Sequence, residues 1–379
     1  MEKFSAYRDP GTGIQPFLTP VPPSGSNVLA TLLLPFKYAI AAVRTLLVLV
    51  LLAVYTVDVL GICAILHPIA PIHRLVTGLL TSLLTRSALF IIGLTWIPVE
   101  RVSRKRGRGK PVANAWYPKA GDVIVSNWVS WIELLWLACR YNPIFVLPVF
   151  DPLTVTTPTP GRDGIVTHTP GRRTGTGSAN ITSTRQASPQ GTFRGFRVSS
   201  LLEMILLTGR VPPYDSAATT PCMKFDDIQK QADRPIVVFP ESTTSNGRGL
   251  LRFSNVFPKE QVPTKKFGVF IMCVRYDPPT DFTPTLSCPI PSSFNPLGHL
   301  FALTTSLTPL SISIRLLEPA DSISSQLFMV SEVVPDAANE DVFVSSCAAL
   351  IAQLGKMKRT GLGWEDKASF FEFYRARKY

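Results

Sequence analysis

The chain has 379 residues, a formal net charge of +12 and 46% hydrophobic residues, enough to bury one large core or two ordinary ones. The basic balance suits an anionic lipid surface, an anionic substrate or nucleic acid. Aromatic residues are not interleaved with the basic clusters, which argues against nucleic acid, and six scattered cysteines (Cys63, Cys139, Cys222, Cys273, Cys288, Cys347) fit reduced core thiols rather than zinc ligands or a disulfide framework.

In chain order, residues 1–27 form a polar, Pro- and Gly-containing leader without the hydrophobic run of a secretory signal. Residues 28–66 are strongly apolar, interrupted by Lys37, Arg44 and Asp58, and residues 75–99 carry Arg86 as their one charge. Each run has the roughly 20 apolar residues that a membrane span needs. A charge within hydrocarbon is costly unless it snorkels or is buried in protein. The expected unit, residues 28–100, is therefore a membrane-anchoring helical hairpin turning at His67-Pro68 and Pro71, either spanning or lying in one leaflet. A polybasic linker, residues 101–120, follows, and such clusters mark a cytoplasmic, anionic surface.

An α/β domain is expected over residues 121–379. Residues 122–126 and 144–150 read as strands and 130–139 as a helix. Thr, Pro, Gly, Ser and Arg dominate 154–195, which reads as a disordered insertion. Beyond it, 197–207 and 225–232 read as helices, 266–275 and 311–317 as strands, and 341–356 and 363–379 as amphipathic helices, the last setting Trp364, Phe370, Phe371 and Tyr374 against a basic face.

The most informative stretch is PIVVFPESTTSNGRGLLRF, residues 235–253. Ile236, Val237, Val238 and Phe239 read as a buried strand ended by Pro240, and a polar loop of Glu241, Ser242, Thr243, Thr244, Ser245, Asn246, Gly247 and Arg248 follows. Open α/β sheets bind ligands at such strand ends.

This stretch resembles the Phe-Pro-Glu-Gly-Thr-Arg-Ser motif of the glycerolipid (PlsC-like) acyltransferases, with Phe239, Pro240, Glu241, Thr243 and Ser245 matching, Ser242 replacing the glycine and Thr244 the arginine. The opening MEKFSAYRDPGTGIQPFL resembles the fungal lysophosphatidic acid:oleoyl-CoA acyltransferase branch. The resemblance implies an α/β fold, a mixed sheet flanked by helices behind an N-terminal membrane hairpin. It also implies acyl transfer from acyl-CoA to lysophosphatidate, with acyl-CoA a co-substrate and no further cofactor or metal. The implied setting is the endoplasmic reticulum or lipid droplet surface, with the domain facing the cytosol among membrane lipids.

The family's second motif, Asn-His-x-Ser-x-x-Asp, corresponds to residues 127–133, where Asn127 and Ser130 match, Glu133 replaces the aspartate and Trp128 the histidine. An indole N–H only donates, so Trp128 cannot be the general base. Glu133 is the one residue of this motif able to accept a proton, given a pKa raised by burial, and the alternative is that it only caps or pairs within the helix. His67, His73, His168 and His299 all lie far from the motif in sequence. Arg248, and less so Arg210 in Thr208-Gly209-Arg210, are candidates for the acceptor's phosphate, while Glu241 is expected to organise its loop by accepting backbone hydrogen bonds. Trp128 keeps a second reading open: an inactive homologue that binds phospholipid or a trafficking partner. A third, a nuclear basic protein, rests on charge alone.

Overall fold

The computed structural model describes residues 4–23, 28–66, 68–104, 116–152, 191–214, 221–257, 267–292, 294–326, 328–334 and 341–376. Most of the expected insertion, the centre of the polybasic linker, His67 and His168 lie outside them.

The apolar N-terminal third folds into α1 (Val28–Leu32), α2 (Leu34–Val54) and α3 (Ala70–Ile92), α2 being prolonged by a π-helical stretch, Tyr55–Gly61. Prolines open α2 and α3, where no intrahelical N–H is needed, and Gly93, at φ 115°, closes α3 in the left-handed region. Two helices, Leu34–Gly61 and Ala70–Ile92, are long and apolar enough to cross a membrane. Both pack along the α/β domain, and three of their cations meet backbone carbonyls. Arg44 donates to Ser306 O at 2.7 Å, Lys37 to Asp281 O at 3.2 Å, and Arg86 to Thr95 O at 2.6 Å. Leu46, Val50, Val57, Leu75, Leu79 and Leu83 face outward, exposed.

The domain comprises strands β1 (Val99–Val102), β2 (Val123–Ser126), β3 (Ile144–Phe150), β4 (Phe193–Ser199), β5 (Ile236–Val238), β6 (Gly249–Leu250), β7 (Val269–Tyr276), β8 (Ile312–Leu317) and β9 (Lys358–Arg359). Its helices are α4 (Ile132–Tyr141), α5 (Leu201–Leu207), α6 (Phe225–Gln231), α7 (Leu297–Thr304), α8 (Val342–Gly355) and α9 (Trp364–Ala376). Seven strands form one mixed sheet in the order β1-β8-β7-β2-β5-β3-β4, while β6 and β9 pair separately. Strands β7, β2, β5 and β3 run parallel, and β8 and β4 are antiparallel to their inner neighbours.

Side-chain alternation divides the core. Ile124, Val237 and Met272 face a layer of α3, α4, α5 and α7, whereas Val123, Val125, Val238 and Ile271 face α8 and Trp364. Four strands were not anticipated, the short pair β6 and β9 among them. β1 takes Val99–Val102 into the sheet edge, ahead of the expected domain start at 121. β4 occupies 193–199, where the expected insertion ends and a helix was expected from 197; pairing with β3 draws the segment into extended form. The helix starts only after Ser200, whose hydroxyl accepts from Glu203 N at 3.2 Å.

Candidate active site

β2 and β5 are adjacent and parallel, so the segments following them, residues 127–133 and 239–248, emerge side by side at one edge of the sheet. The chain leaving β2 rejoins the sheet at β3, beyond β5, and the chain leaving β5 rejoins it at β7, beyond β2, so the two connections run in opposite directions across the strand ends. The segments are bonded directly: Trp128 N donates to Glu241 Oε2 at 2.7 Å, and Ser245 N to Trp128 O at 3.1 Å. Glu241 Oε1 accepts from Leu251 N at 2.8 Å, tying the start of the polar loop to its end.

Asn127 pins the end of β2 to β7, its Nδ2 donating to Val274 O at 2.9 Å and its Oδ1 accepting from Val274 N at 2.8 Å. Trp128 stacks on Phe239 with ring centroids 5.1 Å apart, and its buried Nε1 has no hydrogen-bond partner among the described residues. Ser130 Oγ lies beside the Tyr276 hydroxyl, buried and without a hydrogen bond of ordinary geometry. Glu133 closes over the start of its own helix: Oε1 accepts from Val129 N at 2.5 Å and Ser130 N at 2.7 Å, and Oε2 accepts from the Tyr276 hydroxyl.

In the loop, Ser242 adopts φ 59°, a left-handed conformation that a glycine adopts without steric cost. Its hydroxyl donates to Ser254 Oγ at 3.1 Å. Thr243 Oγ1 donates to Arg210 O at 2.6 Å and Thr244 Oγ1 to Cys288 O at 2.7 Å, while Ser245 Oγ accepts from Gly247 N at 3.2 Å. The side chains of Arg248 and Arg210 are exposed. The nine residues Asn127, Trp128, Ser130, Glu133 and Glu241 to Ser245 are each at most 2% exposed.

Burial dominates the electrostatics. It pushes Glu133 up to about 7 and Glu241 up to about 8, against the pull of the hydrogen bonds each carboxylate accepts. Among the described residues no three His, Cys, Asp or Glu side chains converge as metal ligands would.

Three participants escaped the sequence reading. Lys367 of α9 is fully buried, and its Nζ donates to Thr243 Oγ1 at 2.8 Å and Thr244 O at 2.7 Å. Burial pulls its pKa down to about 7. The reading assigned α9 a basic face, but Lys367 lies three residues after Trp364 and four before Phe371, on the apolar stripe itself. The leader also reaches the loop. Asn246 Nδ2 donates to Gln15 O at 2.7 Å and Leu18 O at 2.9 Å, and Phe17 is buried against Leu251, Leu362 and Phe370. A buried phenylalanine in a polar stretch was the signal. His299 is the third: set aside for its distance in sequence, it meets the motif in space, Nδ1 accepting from Trp131 Nε1 at 2.9 Å and Nε2 bonding Thr285 O at 3.0 Å. Burial lowers its pKa to about 4, so it is neutral with Nδ1 occupied.

No family model matches the chain, and no solved structure matches it. It is 25% identical over 375 residues, 98% of each chain, to a Schizosaccharomyces pombe protein named "Putative lysophosphatidic acid:oleoyl-CoA acyltransferase".

Proposed function

We propose that this chain transfers a fatty acyl group from acyl-CoA to lysophosphatidate, giving phosphatidate. The observation carrying this reading is the bonded junction of two segments at adjacent strand ends, whose first segment holds a buried carboxylate of raised pKa, Glu133, and two buried polar atoms without ordinary hydrogen bonds, Trp128 Nε1 and Ser130 Oγ. The full-length similarity to a protein named as an acyltransferase supports the same chemistry.

In the reaction the acceptor hydroxyl oxygen attacks the thioester carbonyl and its proton passes to Glu133, directly or through Tyr276, which gives its own proton to Glu133 as it takes one. The tetrahedral intermediate collapses, the carbon–sulfur bond breaks, and the proton returns to the departing CoA thiolate. A carboxyl group with a pKa of about 7 suits both transfers near neutrality. The donor groups of Trp128 and Ser130 serve the developing oxyanion. Arg248 and Arg210, both exposed, meet the phosphate. Because the site is covered, substrate entry needs the leader and the polar loop to part.

The hairpin lies along the domain with its apolar face outward, an arrangement suited to one leaflet of the endoplasmic reticulum or lipid droplet surface, with the domain in the cytosol. The second reading, an inactive homologue that binds phospholipid or a trafficking partner, draws on Trp128 at the histidine position and on the three hydrogen bonds Glu133 already accepts. The readings separate when purified full-length protein is mixed with oleoyl-CoA and lysophosphatidate. Transferase action requires phosphatidate to accumulate, and Glu241→Ala, which unties the loop, to lower the rate at least tenfold. Absence of phosphatidate from a folded wild-type sample selects the second reading.

A further inference from the structure

Between the hairpin and the domain run two cavities in line along α4. The first, about 230 Å³, is an apolar slot lined by Leu52, Leu84, Trp131, Leu135, Ile205 and Leu300, among others. The second, about 580 Å³, is a mixed chamber whose walls set Arg234, Gln231, Asn142 and His73 among apolar residues such as Val59 and Phe145. Tyr55, in the π-helical stretch of the hairpin, and Leu201 line both, and π-helical turns recur at functional sites. The chamber sits at the far end of the sheet from the motif: Ile144, which lines it, begins β3, and Arg234 precedes β5.

The lining is amphiphilic in a defined sense. Arg74 Nε and Arg234 Nε share the single carboxylate of Asp233, at 2.9 Å and 3.2 Å, so this corner keeps one net positive charge. Leu60 of the hairpin at the chamber and Leu206 of α5 at the slot are each about half exposed, 50% and 51%, so both cavities carry apolar surface to the outside. A small soluble anion would suit the chamber and leave the slot unfilled, and an acyl chain alone would leave the cationic corner unmatched. We propose that this groove binds an anionic diacyl phospholipid of the surrounding membrane, its headgroup at Arg234 and one tail in the slot towards Trp131. Its headgroup end lies at the opposite end of the sheet from the motif, its slot ends at Trp131 within residues 127–133, and the inference depends only on the hairpin lying in lipid.

The test measures binding without turnover, so its outcome is independent of whether the protein transfers acyl groups. Full-length protein in detergent micelles is titrated with dioleoylphosphatidylserine, with dioleoylphosphatidylcholine and with inorganic phosphate, following thermal stability, which ligand binding raises by mass action. The phosphatidylserine response is expected at about tenfold lower lipid than the phosphatidylcholine response, inorganic phosphate is expected to do nothing, and Arg234→Gln is expected to weaken phosphatidylserine about tenfold, the share of one charge-assisted hydrogen bond. Arg234→Lys should retain most of the preference. Equal responses to the two lipids, a response to phosphate alone, or an unchanged preference in a folded Arg234→Gln protein would overturn the proposal.

Discussion

Lys367 Nζ is fully buried, with three oxygens of Thr243 and Thr244 as its hydrogen-bond acceptors. Desolvation lowers its pKa from 10.5 to about 7, whereas the unfolded chain keeps the ordinary value. Between about 7 and 10.5 the unfolded state thus binds the extra proton, and stability from this group rises with pH across that window. Below about 7 the cost of burying the charge is fully present. Lys367→Met should therefore gain most thermal stability relative to wild type near pH 6 and least near pH 9, while acyl transfer falls because Thr243 and Thr244 lose their anchor. A stability difference independent of pH would show that the lysine is charged and paired at all these pH values. Glu133 and Glu241 have the opposite sign: pKa values raised by burial make the folded state hold protons that the unfolded state has released, so their contribution declines as pH rises from about 4.5 to about 7 and 8.

Among elements, the leader and α9 act as one clamp over the motif loop. Phe4 and Tyr7 pack on Phe370 with centroids 5.9 Å and 5.2 Å away, Asp9 accepts from Gly361 N at 2.9 Å, and Asn246 holds the chain at Gln15 and Leu18. Phe17, 1% exposed, is the centre of this contact. Phe17→Ala should cost about 3 kcal/mol of stability, the usual range for a buried aromatic, and should raise amide exchange in residues 242–248 above that in β2. Exchange unchanged in the loop would mean that the leader does not hold it. This arrangement was barely legible beforehand. The core strands β2, β3, β5, β7 and β8 and helices α4, α6, α8 and α9 announced themselves through apolar periodicity, because both faces of the sheet are buried. β1 did not, since its VERV sequence is mostly exposed edge, nor did β4, whose FRGFRVS alternation depends on pairing with β3. The placement of Lys367, His299 and Phe17 at the motif rests on contacts across more than a hundred residues, which no local pattern encodes.

On the scale of the whole molecule, the hairpin is two-faced. Arg44 and Thr45 bond the domain and Thr77 and Thr81 are buried, whereas Leu46, Val50, Val57, Leu75, Leu79 and Leu83 turn out. The sequence exposed the apolar length and the misplaced charges, and it left open what those charges met. Carbonyls of the domain meet Lys37 and Arg44, and carbonyls just beyond α3 meet Arg86, so the hairpin is packed to the domain along its length rather than projecting from it. The double substitution Leu46→Glu, Val50→Glu, at positions 63% and 52% exposed, should abolish flotation with phosphatidylserine-containing vesicles while leaving the melting temperature within about 2 °C. Retained flotation would move the lipid contact elsewhere.

The motif segment and the polar loop stood out in the sequence because strand ends and hydroxyl runs are local features. Their junction through Glu241 and Trp128 is tertiary. Whether that junction transfers acyl groups is read most directly from the initial rate of CoA release from oleoyl-CoA with lysophosphatidate, for wild type and Glu133→Gln side by side. The account expects wild-type turnover and a loss of about 100-fold or more in the variant, the usual share of a general base, with the fold intact. No turnover by folded wild type, or full turnover by Glu133→Gln, would contradict it.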